Sequence, residues 1–292
     1  MCGISGIVKT NSANVSKKEI ISLNKLLNHR GPDGHGIFLD SNVALGHKRL
    51  SILDLSDNGA QPFIDHTGRY VLTYNGELYN FQKFKKKLIE KGHKFKSRTD
   101  SEVFLYSIIH FGIEVINQFN GMFAFGFYDK KKKMLILGRD RCGIKPLYYS
   151  FQGNNFFFAS EAKAIALFNK FNKRLDNRAI IEYFTFQNIF TENTFFEDIK
   201  LFPSGNFSII NLKSEDFRLS KKLNFYEYWD FSFKEKEKFS SLQDATNRLD
   251  KIIFDSVKRQ SISDVEVGSY LSGGTDSSLI SLNLSKIKKN IK

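Results

Sequence analysis

At 292 residues, with 41% hydrophobic content and 30 Phe, the chain can bury one large core or two smaller ones, which excludes an intrinsically disordered protein. The formal net charge is +13, but the cations are mostly Lys on helix faces and in short runs such as 130–133, with no zinc-finger, aromatic RNA-binding or arginine-rich pattern. A nucleic-acid partner is therefore not expected. Two Cys, Cys2 and Cys142, no apolar run near the length of a membrane span and no signal peptide predict a cytoplasmic protein without a disulfide framework.

In chain order, residues 2–9 read as a strand. Residues 17–28 have helical spacing through Ile20, Leu23 and Leu27, closed by the turn His29-Arg30-Gly31-Pro32-Asp33-Gly34. Strands follow at 36–39, 44–53 and 69–74, then helices at 81–92 and 101–119. Residues 122–128 and 134–137 flank the lysine run as a hairpin, the second strand reaching 139; 147–151 and 155–159 add two more strands. Many strands with few helices and little strict β-α alternation predict a layered α+β domain, assigned to 2–210. Residues 211–240, charged and loop-like from Asp230, read as a linker. The last part, 241–292, opens with a helix at 241–260, marked by Ser241 with Asp244 at its start and a stripe of Ala245, Leu249, Ile252, Ile253 and Val257. A buried strand is expected at 265–271, then the turn Ser272-Gly273-Gly274-Thr275-Asp276-Ser277-Ser278 and a helix at 279–287. Strand, Gly-Gly turn with hydroxyls and helix N-terminus together make an anion cradle. It is not a Walker A loop, because no Gly-Lys-Ser/Thr follows.

The first chemical signal is Met1-Cys2-Gly3-Ile4-Ser5-Gly6. A small second residue usually permits removal of the initiator Met, which would put a thiol and a free α-amine on Cys2. Cys is the best nucleophile among side chains, and an α-amine of unperturbed pKa about 7.7–8.0 suits a general base. Taken alone, an N-terminal Cys is as readily chance as function.

The further motifs break the tie. They are His29-Arg30-Gly31-Pro32-Asp33, Arg49-Leu50-Ser51-Ile52, Tyr74-Asn75-Gly76-Glu77-Leu78-Tyr79-Asn80, Arg98-Thr99-Asp100-Ser101-Glu102, Arg139-Asp140-Arg141-Cys142-Gly143-Ile144-Lys145-Pro146-Leu147-Tyr148-Tyr149, and Phe158-Ala159-Ser160-Glu161-Ala162-Lys163. With the Ser-Gly-Gly run, and in this order over nearly the whole chain, they resemble the glutamine-hydrolysing asparagine synthetases. The resemblance implies an N-terminal-nucleophile glutaminase, a four-layer αββα sandwich. The first strand, loop and helix of an α/β adenine-nucleotide hydrolase-like synthetase domain would follow it.

By the same resemblance, Cys2 attacks the glutamine side-chain amide with its own α-amine relaying the proton, and Asn75 with the Gly76 N–H stabilises the oxyanion. Arg49 would take the substrate's α-carboxylate; Asp100, with Glu77 nearby, would take its α-ammonium; and the backbone of Leu50, Ser51, Ile52 and Leu53 would line the pocket. Each has a plainer reading: Arg49 a surface charge, Asn75-Gly76 a hairpin turn, Asp100 a helix cap. Leu271, Ser272, Gly273, Gly274, Asp276, Ser277 and Ser278 would hold ATP, with Mg²⁺ bridging its phosphates and no metal site of the protein's own. L-glutamine, ATP and L-aspartate would be the substrates, with a homodimer or a separate synthetase chain as partner. Residues 139–149 are expected to be structural. Cys142 stands where a bulky apolar residue is expected and Thr275 where Leu or Ile is usual; Cys142 is expected to be buried and inert. From Val265 onward there is room for one strand and one helix, so this chain alone is expected not to make asparagine, being a fragment, a truncated product or half of a split enzyme. Two alternatives stay open: transfer to another carboxylate acceptor, as in surface-polysaccharide synthesis, and a catalytically silent remnant.

Overall fold

The computed structural model describes residues 1–11, 13–168, 174–234, 238–289 and 291–292. It divides into two compact units: Met1–Ser51 with Ser56–Asp230, and Ile52–Leu55 with Phe231–Lys292.

The first unit runs β1 (Gly3–Lys9), α1 (Lys17–Lys25), β2 (Gly34–Asp40), β3 (Val43–Arg49), β4 (Phe63–Ile64), β5 (Tyr70–Leu78), α2 (Phe81–Glu90), α3 (Asp100–Phe111), β6 (Gly121–Asp129), β7 (Met134–Arg139), β8 (Tyr148–Gln152), β9 (Asn155–Ala159), α4 (Ala162–Leu167), α5 (Asn177–Phe186), β10 (Ile199–Leu201), β11 (Asn206–Asn211), α6 (Glu215–Ser220) and β12 (Tyr226–Glu227). The strands form two antiparallel sheets, ordered β10-β8-β9-β1-β3-β2 and β12-β11-β7-β6-β5-β4.

Period-two alternation divides the apolar side chains among three layers. On β1, Ile4 and Val8 join the middle cluster while Ile7 joins an outer one with Ile20, Leu23 and Leu27 of α1 and its following turn. On β6, Ala124 and Tyr128 point to the middle and Phe123, Phe125 and Phe127 to the other outer cluster, with Phe84 of α2 and Phe104 of α3. The result is helices, sheet, sheet, helices, the layered α+β sandwich anticipated from the sequence. The Phe158 ring on β9 lies flat over Gly6 of β1 and reaches Gly126 on the other sheet; a Cβ at Gly6 would fall 2.0 Å from that ring. Two side-chain bonds also tie the sheets: Thr73 Oγ1 donates to Gly46 O at 3.0 Å, and His47 Nε2 meets Tyr74 O at 3.1 Å.

Several boundaries differ from the expectations. The helix expected over 101–119 stops at Phe111, because Gly112 turns the chain at φ +78° into a short 3-10 turn. The strand expected over 44–53 ends at Arg49. In the segment read as a linker, β11 runs to Asn211, and α6 and β12 follow within the first unit; residues 235–237 lie outside the described residues.

The second unit holds α7 (Leu242–Gln260) and α8 (Thr275–Ile287). The buried strand expected at 265–271 does not form: the segment has no strand assignment, and Tyr270 and Leu271 are 99% and 66% exposed. A strand needs a ladder of bonds to a neighbouring strand, and here, among the described residues, the segment's backbone bond to another segment of this unit is Ser269 N–H to the Lys292 carbonyl at 2.9 Å. No helix among the described residues is long and apolar enough to cross a membrane.

Candidate active site

Cys2 directly precedes β1, a central strand with β3 on one side and β9 on the other. Its Sγ lies between the backbone groups of Leu50, 3.4 Å from the N–H and 3.5 Å from the carbonyl. Burial pushes the thiol above its ordinary pKa, and the Leu50 backbone bond, the N-terminal charge and Lys145 act the other way. The Cys2 carbonyl accepts from Arg30 Nε at 2.9 Å, and Arg30 Nη1 donates to Glu161 at 2.9 Å.

Glu161 is thus the anchor of the group that holds the Cys2 backbone. Burial alone would raise its carboxyl; hydrogen bonds from His29, Arg30 and Lys163 outweigh this and hold it down at about 2. A carboxyl depressed on folding stabilises the native state above its unfolded pKa of about 4.3, and that contribution disappears as pH falls towards 2. Glu161→Gln is expected to flatten the fall of Tm between roughly pH 4.5 and 2; thermal melts with the wild-type acid slope would contradict this.

Asn75, Gly76 and Glu77 lie inside β5, opposite Ala124, Phe123 and Met122 of β6, so Asn75-Gly76 is not a hairpin turn. Alternation turns Asn75 and Glu77 to the same face as Thr73, the face that bonds the other sheet. The Asn75 side chain is 1% exposed, and its Nδ2 is buried without a hydrogen-bond partner. Gly76 is required by space: a Cβ there would stand 2.5 Å from the Met122 carbonyl.

Asp100 is the first residue of α3, and Thr99 rather than Asp100 is the cap, accepting from the Glu102 N–H. The Asp100 carboxylate instead accepts from the Leu78 N–H at 2.7 Å and the Tyr74 hydroxyl at 3.1 Å. Burial raises it to about 6 despite these bonds. Burial and then the Asp100 charge also raise Glu77, with Lys145 opposing. Arg49, 9% exposed, donates to the Ser56 carbonyl at 2.7 Å. Its guanidinium and the Thr99 side chain flank Gly59, which sets the cation beside the start of α3. Ser51 donates its N–H to Asp33. Ile52 and Leu53 group with the second unit.

Two residues that the motifs did not single out as functional belong to this end of the sandwich. His47 is fully buried and held neutral, its pKa lowered to about 3 first by burial, and it bonds the backbone just before Asn75. Lys145 is 5% exposed; its electrostatic partners include Cys2 and Glu77. Cys142, expected to be buried, is exposed: the Asp140 carboxylate gathers the backbone of this turn and leaves the Cys142 side chain outside.

In the second unit, the turn at 272–278 is exposed and leads into α8, whose cap residue is Gly274. Gly273 takes φ +83°, open to glycine without strain, and the Ser272 and Ser277 hydroxyls meet at 2.9 Å.

The family description "Glutamine amidotransferase domain" matches residues 1–227. The chain belongs to that family. A second description, "Asparagine synthase", matches residues 248–292. Among curated relatives, asparagine synthetase [glutamine-hydrolyzing] 3 of Bacillus subtilis is 36% identical over 286 residues, covering 96% of this chain and 44% of the relative. Asparagine synthetase B [glutamine-hydrolyzing] of Escherichia coli is 33% identical, covering 96% of this chain and 44% of its own length. The chain thus spans about half the length of the curated relatives it matches. A solved glutamine phosphoribosylpyrophosphate amidotransferase from B. subtilis has the same fold, with a TM-score of 0.57 at 17% identity over 99% of this chain and 65% of that one.

Proposed function

We propose that this amidotransferase chain hydrolyses L-glutamine and supplies the ammonia to an ATP-dependent synthesis of asparagine from L-aspartate. The observation that carries the reading is the Cys2 sulfur, bracketed by the Leu50 backbone, in a unit whose buried Asn75 amide has a donor with no partner. Once Met1 is removed, the Cys2 α-amine accepts the thiol proton and the sulfur attacks the amide carbon of glutamine. The oxyanion forms within reach of the Asn75 amide and the Gly76 N–H. Its collapse expels ammonia, which takes its proton from the amine, and water then cleaves the thioester to glutamate. Arg49 pairs with the substrate's α-carboxylate; Asp100 and Glu77 pair with its α-ammonium. Leu50 and Ser51 supply backbone to the pocket, and Ile52 and Leu53 keep that proposed role.

In the second unit, the open Gly-Gly backbone and paired hydroxyls fit a phosphate group at the start of α8. Ser272, Gly273, Gly274, Asp276, Ser277 and Ser278 would hold the pyrophosphate portion of ATP, with Leu271 bordering the nucleotide and Mg²⁺ carried by the phosphates. ATP supplies the leaving group that activates the acceptor carboxylate. Two cysteines without a disulfide fit a cytoplasmic location.

The test is release of ammonia and glutamate in equal amounts from L-glutamine by purified chain whose intact mass lacks Met1. Activity with Met1 retained would overturn the amine as base; no release from folded, Met1-free protein would overturn the glutaminase. A pH effect follows from Asp100. With its carboxyl raised to about 6, the charged form that pairs with the α-ammonium is lost as pH falls through that value. The KM for glutamine is expected to climb several-fold between pH 7 and 5 while kcat changes less, about tenfold per unit below the pKa at most. An equal KM across that interval, or the same climb in Asp100→Asn, would rule this out.

A further inference from the structure

The turn after β7 is built around one residue. The Arg139 guanidinium donates to the carbonyls of Lys145 at 2.9 Å, Phe202 at 2.7 Å and Gly143 at 2.6 Å. The Asp140 carboxylate accepts the N–H groups of Cys142, Ile144 and Lys145. Both backbone groups of Lys145 are therefore clamped. Asp140 Oδ2, which takes the Lys145 N–H, also accepts the Phe123 N–H, and Phe123 stands opposite Gly76 in the sheet. The clamp that fixes Lys145 is thus anchored beside the proposed oxyanion strand.

The other sheet brings the same residue towards Cys2. Strands β1 and β8 both run antiparallel to β9, so they are parallel to each other, and Ser5 and Tyr148 face the same residue, Ala159. Cys2 lies three residues before Ser5 and Lys145 three before Tyr148, at one end of the sheet and two strand spacings, about 10 Å, apart. A four-carbon stem covers much of that gap. Lys145 is 5% exposed, and no bond from its Nζ is present among the described residues. A largely buried lysine whose ammonium has no hydrogen-bonded counter-ion loses much of its hydration, which calls for a functional reason.

We propose that Lys145 is a positioning residue of the glutaminase site: its ammonium, carried on a clamped backbone, stabilises the Cys2 thiolate and is drawn to the thiol end of the pocket by Glu77. This inference rests on Cys2 being the nucleophile. The charged groups around the thiol are the N-terminal amine, Lys145 and Asp100. Those around Lys145 are Glu77, Cys2, Arg30 and Asp140, with burial lowering its own pKa first. Lys145 therefore favours the Cys2 thiolate, the form of the sulfur that attacks.

The test is the rate of Cys2 alkylation by iodoacetamide from pH 7 to 10, read by peptide mass spectrometry in a Cys142→Ser background that removes the exposed thiol. It requires no glutamine turnover, so it is independent of whether ammonia is released. Lys145→Met and Lys145→Gln are expected to slow alkylation at pH 8 by about three- to tenfold and to displace the profile to higher pH, while Lys145→Arg stays within about twofold of the parent. Profiles for the Met and Gln variants that superimpose on the parent, in protein with unchanged circular dichroism, would overturn the proposal. So would an Arg variant as slow as the Met variant, which would make the role one of shape alone.

Discussion

Cys2→Ala is expected to reduce glutamine-dependent ammonia release by at least about 10³-fold, the scale seen when a nucleophile is deleted. The same substitution should leave the fold intact. The side chain precedes the first residue of β1, and among the described residues its hydrogen bonds are two long ones to Leu50, so Tm should remain within about 3 °C of wild type. A second readout separates chemistry from binding. A diazoketone analogue of glutamine should attach to Cys2 and not to Cys142, although Cys142 is the more exposed thiol. Labelling that follows exposure would mean that the pocket does not select Cys2. Undiminished ammonia release from Cys2→Ala would assign the nucleophile elsewhere.

The second large effect concerns Asn75. A buried donor without a partner is a liability in a resting fold, costing about 1–3 kcal/mol of lost hydration. In the proposed reaction the oxyanion supplies the missing partner. Asn75→Leu, which keeps the branched shape without the donor, is expected to lower kcat by about 10²–10³ with a small change in KM, because in the proposed mechanism the bond forms only as the oxyanion develops. The variant should stay folded, since removing an unsatisfied polar group offsets the crowding from the larger side chain. Loss of activity in folded protein would mark Asn75 as a group the reaction uses. A full kcat in folded protein would remove Asn75 from the mechanism.

Much of the sandwich was legible because its strands obey alternation. Met134–Arg139 and Asn155–Ala159 have the expected bounds, and helices beginning at Lys17 and Phe81 start where the periodicity begins. What escaped has local physical reasons. The pattern of 101–119 stays apolar through both the helix and the 3-10 turn, so periodicity could not reveal the break that Gly112 makes. Strands β4, β10 and β12 are two or three residues long, too short for any period, and are held by neighbours distant in sequence. The segment 265–271 has strand-like composition, but composition cannot provide a pairing partner. At the site, the residue types of Cys2, Arg49, Asn75 and Asp100 were visible through the family resemblance. Their environments were not. That Asp100 is buried under Tyr74 and Leu78 rather than capping a helix, and that Lys145 is clamped at both backbone groups, depends on contacts between segments many residues apart. A lysine between Ile144 and Pro146 carries no local sign of this.

The ring of Phe158, pressed on Gly6 and reaching across to Gly126, acts as a spacer between the sheets and so as a gauge for the proposed reaction. Cys2 belongs to one sheet and Asn75 to the other, so the separation between thiol and amide follows the thickness of the filling between them. A methyl group added at Gly6 would wedge the sheets apart at a place with no reacting atom, and inactive variants are to be sought among residues of the middle layer as well as around the sulfur.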